Sequence, residues 1–308
     1  MKKVVPIAFA FDENLVMPAC VCITSLLMNA SDDTFYDIFI LYQQSAKFDI
    51  DEIDQLQNEF ENCRITYREV DGSFNNAYEI RGITTAAYYR LLIPMLIPEY
   101  DKILYSDVDV IFRGDLSVFY DVDITDYYFA GVDVGIKYRD DIRKYVHDVL
   151  KLDPYKGYFY SGNLVINSKK ILQDGLVDIF RMHSNRNYRF QDMDIINIVC
   201  NGRIKALSPE FCLTNYLYFL LMSRNDGEIG YTNNELDLIL KKGIIHYNGA
   251  KPWKSTCLNQ DVWWYYYRKS CVFNESFCKQ YYENVFTEMD RWPFIKRLRH
   301  LLRYFTNK

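Results

Sequence analysis

Four apolar segments recur through the first third of the chain and constrain its fold class more than any other feature. KVVPIAFAF (3–11), DIFILYQ (37–43), CRITYREV (63–70) and KILYSDVDVIF (102–112) are short, rich in β-branched and aromatic residues, and bounded by polar breaks, as buried strands are. Between them lie segments of helical spacing. Pro18 opens a helix running to Met28, DIDEIDQLQNEF (49–60) forms a second, and TTAAYYRLLIPML (84–96) a third, capped by Thr84 and kinked or ended at Pro94. Strands alternating with helices imply an α/β fold, with a mixed, mostly parallel sheet covered by helices on both faces. Ligands of such sheets bind beyond the carboxyl ends of the strands.

The second half is less regular. YFAGVDVG (128–135), YFYSGNLVINS (158–168), IKAL (204–207) and GIIHY (243–247) read as strands, and KILQDGLVDIFRMHS (170–184) and QDMDIINIVC (191–200) as helices. Residues 212–233 lack periodicity and receive no assignment. The expected organisation is a catalytic domain over 1–255, a helical packing extension over 256–290, and a basic amphipathic helix over 291–308.

That last segment, RWPFIKRLRHLLRYFTNK, carries six Lys/Arg and no acid, leaving 30 basic against 41 acidic residues in the rest of the chain. Phe294, Ile295, Leu298, Leu301, Leu302 and Phe305 share one helical face, with Arg297, Arg299, His300 and Arg303 toward its flanks and Trp292 at its start. Such a helix suits an anionic membrane surface; a helix docked on the catalytic domain fits the same spacing. The overall charge of −5 argues against nucleic acid as a partner. The start of the chain meets Asp12 too soon for a signal peptide, no apolar run reaches the roughly 18 residues of a membrane span, and the eight cysteines show no CxxC. The expectation is a cytoplasmic protein associated with the inner face of the membrane.

The chemistry concentrates in ILYSDVDVIFRG (103–114). Residues two apart on a strand point to one face, so Asp107 and Asp109 aim together and Val108 away. Two converging carboxylates repel unless a cation or proton lies between them. A divalent ion resolves that cost; a solvated pair of acids at a strand end fits the same spacing. GIIHYNGAKPWKS (243–255) adds His246 at a strand end, followed by Gly249 and Lys251. Imidazole with carboxylates suits Mn²⁺ or a similar ion, Lys251 offers a point charge for phosphate, and Gly249 allows close backbone approach. His246 also reads as a core histidine bonded to the backbone.

ITTAAYYRLLIP, KILYSDVDVIFRGDL, QDMDIIN and HYNGAKPW, in that order and with the N-terminal AFDEN, resemble the glycosyltransferase family 8 enzymes over about residues 3–255. The resemblance implies a GT-A fold, a UDP-sugar donor, Mn²⁺ (or Mg²⁺), and retention at the anomeric carbon. By position it implies that Asp107, Asp109 and His246 hold the metal that bridges the donor diphosphate, and that Gly249 and Lys251 support that diphosphate. Asp12 and Asn14 would contact the uridine, Arg90 would lie near the diphosphate and sugar, and Asp133 and Asp192 would face the sugar pocket. Without the resemblance, Arg90 reads as a helix-face ion pair and Asp12 as a helix cap.

Departures from the family pattern fall at Met193, where members carry an amide, at Tyr160, where an Asn is common, and at Leu15, in place of an aromatic. The NGAKPW loop is also a residue short. A methionine is no nucleophile, which points to front-side displacement or to Asp192 in that role. The first two departures imply a donor other than plain galactose or glucose, or a sugar held differently. The expected function is a retaining hexosyltransferase extending a membrane-bound acceptor glycan, such as a lipopolysaccharide or other surface polysaccharide precursor. Its rivals are a phosphatase of the haloacid-dehalogenase type, which also uses a strand-end DxD, and a nucleotide-sugar binding protein without catalysis.

Overall fold

The computed structural model describes residues 2–43, 50–74, 77–79, 84–223 and 230–306, with main chain alone at 73, 300, 301 and 303–306. Among the described residues ten strands form, β1 (Lys3–Ala10), β2 (Thr34–Tyr42), β3 (Cys63–Glu69), β4 (Ile103–Ser106), β5 (Val110–Ile111), β6 (Phe129–Gly131), β7 (Asn163–Ile166), β8 (Ile204–Ala206), β9 (Leu213–Thr214) and β10 (Ile245–His246). Seven of them make one sheet in the order β3-β2-β1-β4-β7-β6-β8; β5-β10-β9 make a second.

The large sheet is buried on both faces, which is why β1 reads as one apolar run. Ile7 and Phe9 enter the core on one face, Ala8 and Ala10 the core on the other. Helix Val16–Met28 covers the first face and is buried along almost its whole length. The 3₁₀ segment Thr85–Leu92 and helices Leu176–Ser184 and Gln191–Val199 cover the second. β1 pairs in parallel with β2 on one side and β4 on the other. The chain therefore reverses its direction of travel across the sheet at β1, and a crevice opens at the carboxyl ends of β1 and β4. Among the described strands of the large sheet, β7 alone runs against its neighbours, antiparallel to both β4 and β6.

KILYSDVDVIF is not one strand. β4 ends at Ser106, and the chain bends through Asp107–Asp109 before β5 joins the other sheet, antiparallel to β10. Main-chain bonds enforce the transfer, because the Asp107 N–H donates to the Gly162 carbonyl at 2.7 Å and the Tyr247 N–H to the Asp109 carbonyl at 2.9 Å. The two acids thus occupy the seam between the sheets.

Three further expectations change. Thr84 makes no side-chain cap, since its hydroxyl donates to Asp12 Oδ2 at 2.9 Å. KILQDGLVDIFRMHS splits at Gly175 (φ 66°) into helices Ser168–Gln173 and Leu176–Ser184. YFYSGNLVINS contributes only β7, because the ladder breaks at Ser161 and Gly162, before which Phe159 makes an isolated antiparallel bridge to Asp133. In the unassigned region β9 leads into helix Asn215–Ser223, and residues 224–229 lie outside the described residues.

Helices Gln260–Tyr267, Glu275–Asp290 and Phe294–Thr306 complete the chain. Trp263, Trp264, Tyr267 and Tyr281 bury themselves with Trp253 and with Val21 of the first helix, so the aromatic run DVWWYYY is a packing element. On the last helix Phe294, Ile295, Leu298 and Leu302 are exposed. The side chains of His300, Leu301, Arg303 and Phe305 lie outside the described residues. Among the described residues no helix is long and apolar enough to cross a membrane.

Candidate active site

Asp107 and Asp109 meet His246 across the seam. The β5–β10 register sets His246 opposite Val110, beside Asp109. His246 Nε2 lies 3.3 Å from Asp109 Oδ1 and 3.6 Å from Asp107 Oδ2. One ligand atom from each of the three residues falls within 4.8 Å of the others. Behind the ring, Nδ1 is 3.4 Å from Cys212 Sγ. The other Asp109 oxygen takes Lys251 Nζ, which also donates to the Tyr247 carbonyl at 2.6 Å. Burial pushes the Asp109 carboxyl upward, but Lys251 and His246 outweigh it and hold the group well below the usual carboxylate range. Burial likewise opposes a charged His246, and Asp109 overrides it, raising the imidazole well above its ordinary value.

The residues fit a divalent cation. Two carboxylates and an imidazole converge at a buried seam, a donor set suited to Mn²⁺ and acceptable to Mg²⁺. A cradle is kept open for them at Gly162, where a Cβ would stand 2.3 Å from His246 Cε1 and 2.7 Å from Asp107 Oδ2.

Arg90 closes the other side. It comes from the Thr85–Leu92 segment and is buried. Its Nε donates to the Ala87 carbonyl at 2.8 Å, its Nη1 to the Ser161 carbonyl at 2.6 Å, and its Nη2 lies 2.8 Å from Asp107 Oδ1. The guanidinium carbon sits 4.4 Å from the Tyr105 ring centre, and the Tyr105 hydroxyl donates to the same Asp107 oxygen at 2.8 Å. Asp192 Oδ2 is 3.3 Å from Arg90 Nε. That N–H is already aimed at Ala87, so Asp192 Oδ2 has no hydrogen-bond donor among the described residues. Burial, opposed by Arg90, pushes the Asp192 carboxyl up to about 6. Arg90 is thus a shared counter-ion for Asp107 and Asp192, not a helix-face pair.

Helix Gln191–Val199 is fixed by its neighbours on the opposite side. Asp194 accepts from the hydroxyls of Tyr145 (2.7 Å) and Tyr158 and from the Phe190 N–H (2.8 Å), and Asn197 bonds both the N–H and the carbonyl of Phe159. Met193 between them packs against the core.

The remaining expected positions divide. Asp133 has both oxygens on main chain, Oδ1 accepting from Gly135 and Ile136 (2.8 and 2.9 Å) and Oδ2 from Tyr158 (2.9 Å). It shapes a turn and holds the 158 segment; burial still raises its carboxyl against those bonds. Asp12 does cap the short Glu13–Leu15 turn, through the Asn14 N–H at 2.9 Å, and its second oxygen ties the end of β1 to Thr84. Asn14 and Gly249 are exposed; at Gly249 a Cβ would meet only Asn215 Nδ2, at 3.8 Å. Tyr160 is buried, with its hydroxyl accepting from Thr214 at 3.2 Å. Asn163 is no substitute for the missing Asn, since its amide holds Ser106 Oγ (3.3 Å) and the Phe211 carbonyl (2.8 Å). Leu15 packs on the core. Tyr105, Ser161, Gly162 and Cys212 escape sequence reasoning. Only Tyr105 left a trace, by standing two residues before Asp107 on the same strand face.

Residues 6–257 match the family model described as Glycosyl transferase family 8. Lipopolysaccharide 1,2-glucosyltransferase of Escherichia coli strain K12 is 24% identical over 268 residues, covering 84% of this chain and 75% of that protein. Among solved structures, galactosyltransferase LgtC in complex with donor and acceptor sugar analogs superposes with a TM-score of 0.71 at 22% identity, over 89% of this chain and 99% of its own. The bifunctional glycosyltransferase WbbM in its apo form gives 0.72 at 21% identity, over 93% of this chain but 52% of WbbM. A haloacid-dehalogenase phosphatase places its DxD after the first strand of the fold; here the motif follows the fourth, and that alternative falls away. With four fifths of its length inside the family match, the chain belongs to glycosyl transferase family 8 and is a glycosyltransferase of the GT-A fold.

Proposed function

We propose that the protein is a metal-dependent, retaining hexosyltransferase that moves a sugar from a UDP-sugar to an acceptor glycan of a lipopolysaccharide or other surface polysaccharide precursor. The observation that carries the reading is the convergence of Asp107, Asp109 and His246 in one crevice with Arg90 and Asp192. A bound Mn²⁺ or Mg²⁺ would neutralise the donor diphosphate and stabilise the departing UDP. Lys251, beside Asp109, adds a cation for a diphosphate oxygen, and the open backbone at Gly249 admits the diphosphate. Asp12 and Asn14, just past β1, are the uridine contacts. Arg90 orients the sugar and diphosphate, Asp133 shapes the pocket wall, and the unpartnered Asp192 oxygen accepts from a sugar hydroxyl.

Retention follows by front-side displacement. Met193 offers no carboxylate or amide oxygen for attack and packs, partly buried, against the core, so the incoming hydroxyl and the leaving oxygen share one face of the sugar. Attack by Asp192 is the competing route; a trapped glycosyl-enzyme in a mass spectrum would establish it. With Tyr160 and Met193 in the sugar subsite, the donor is not plain galactose or glucose, or the sugar is held differently. A clear preference for UDP-galactose in donor hydrolysis would overturn this.

The catalytic unit spans 1–255 and the packing extension 256–290. Residues 291–308 anchor the protein on the anionic inner face of the membrane, a reading supported by the exposed apolar face of the last helix.

Calorimetry with a panel of UDP-sugars, with and without Mn²⁺, tests the whole reading. The expected result is metal-dependent binding of one donor with slow hydrolysis. Binding without hydrolysis would favour the nucleotide-sugar binding protein that Met193 keeps in view; no metal dependence would reject the site.

A further inference from the structure

Two cysteines that glycosyl transfer leaves unused meet where the C-terminal extension crosses the catalytic unit. Cys20 lies near the start of helix Val16–Met28 and is fully buried. Cys271 lies in the turn between helices Gln260–Tyr267 and Glu275–Asp290 and is half-buried. Both thiols reach the same acceptor, the Glu52 carbonyl, 3.4 Å from Cys271 Sγ and 3.7 Å from Cys20 Sγ. Cys271 is held below the ordinary thiol value, with the Cys20 thiol as the first cause and burial opposing it; the single Cys20 proton serves the carbonyl or Cys271 by turns. Burial pushes Cys63, Cys200, Cys257 and Cys278 the other way. A half-buried thiol and a fully buried one thus converge on a single carbonyl oxygen, the arrangement of an attacking and a resolving cysteine.

We propose that Cys20 and Cys271 form a reversible disulfide that staples the C-terminal extension to the first helix whenever a small-molecule disulfide oxidant is present. The Cys271 thiolate attacks one sulfur of the oxidant RSSR, and one RS⁻ leaves. The Cys20 thiol loses its proton to that thiolate and attacks Cys271 Sγ, and the second RS⁻ departs and takes up the proton that Cys271 gave to solvent. Two protein thiols are oxidised by two electrons, and one RSSR is reduced to two RSH. The bond joins residues far apart in sequence, so it constrains the unfolded chain over a long loop. It links the extension to the helix whose Cys22 Sγ lies 3.8 Å from the Asp107 carbonyl.

The test uses the full chain incubated with oxidised glutathione, then alkylated, digested without reduction and mapped by mass spectrometry. The expected product is a Cys20–Cys271 linked peptide, absent after dithiothreitol and absent from Cys271→Ser but retained in Cys257→Ser. The oxidised wild type should melt on the order of 5 °C higher than the reduced protein, and oxidised Cys271→Ser should show no such rise. Recovery of Cys20 fully alkylated, glutathione stably retained on Cys271, or linkage of either residue to another cysteine would overturn the proposal. The mapping is made on wild-type protein, so a variant that folds poorly leaves it intact.

Discussion

Arg90 Nη2 stands 2.8 Å from Asp107 Oδ1, and this contact divides the aspartate between two tasks. One oxygen is committed to the guanidinium and to the Tyr105 hydroxyl, while the other faces His246. The carboxylate of the candidate metal site and the arginine are therefore one connected structure, and a change on either side reaches the other.

Arg90→Met removes the only cation that either Asp107 Oδ1 or Asp192 contacts among the described residues. Breaking a buried pair in this way costs roughly 3–5 kcal/mol. Urea denaturation of the metal-free protein should show a loss of that order, with Arg90→Lys recovering part of it. A loss below about 1 kcal/mol, the scale of a surface pair, would mean that the arginine is not the counter-ion of this site.

Tyr105→Phe deletes one hydroxyl and keeps the ring under Arg90. Supporting bonds of this kind are worth about 10–100-fold in metal affinity. Mn²⁺ titration followed by electron paramagnetic resonance should register a drop in that range without a change in melting behaviour; identical titration curves would exclude the role.

Gly162→Ala forces a methyl group against His246 and Asp107. Overpacking costs roughly 1–3 kcal/mol, and here it also spreads the metal ligands, so Mn²⁺ binding should weaken sharply. Gly114→Ala is the control, because nothing stands within 4 Å of its added carbon. Equal behaviour of the two variants would contradict the close approach.

Asp192 imposes a pH dependence of defined sign. Its folded value is about 6, above the roughly 3.9 of an unfolded chain. The folded state holds this proton more tightly, so stability is greatest while Asp192 is protonated and declines as pH rises between those values. Relative to Asp192→Asn, the metal-free wild type should lose at most about 3 kcal/mol across this window. Asp109, held low, has the opposite sign and acts at lower pH. Parallel denaturation curves for the two proteins from pH 4 to 7 would remove the buried-acid account.

Deleting residues 291–308 should abolish sedimentation with vesicles containing anionic lipid and leave UDP and Mn²⁺ binding intact. Undiminished vesicle binding would place the membrane contact elsewhere.

β3, a partly buried edge strand, was readable from its β-branched and aromatic residues and the polar breaks around it; β1 and β2 were readable because each is buried on both faces and carries a continuous apolar run. KILYSDVDVIF misled for the same reason. Its apolar run continues across the seam, while its partners change from β1 and β7 to β10; composition records burial and not the identity of the partner. Asp107, Asp109 and His246 were identifiable as chemistry, but their meeting depends on a pairing between β5 and β10 that no local pattern encodes. Asp133 shows the converse, since an acid placed by resemblance in the sugar pocket has both oxygens on main-chain N–H groups. The Ser161 carbonyl was invisible because main-chain contacts leave no residue-type signature, and Gly162 because nothing local in the sequence says which side chains its missing Cβ makes room for.

The reversed strand β7 has an evolutionary consequence. Ser161 and Gly162, just before it, meet Arg90 and Asp107 through carbonyl oxygens, atoms that every residue type possesses. Selection can therefore exchange the side chain at position 161 without removing the carbonyl that holds the arginine. A lineage built on this arrangement is free to vary that side chain while the Arg90–Asp107 pair stays in place.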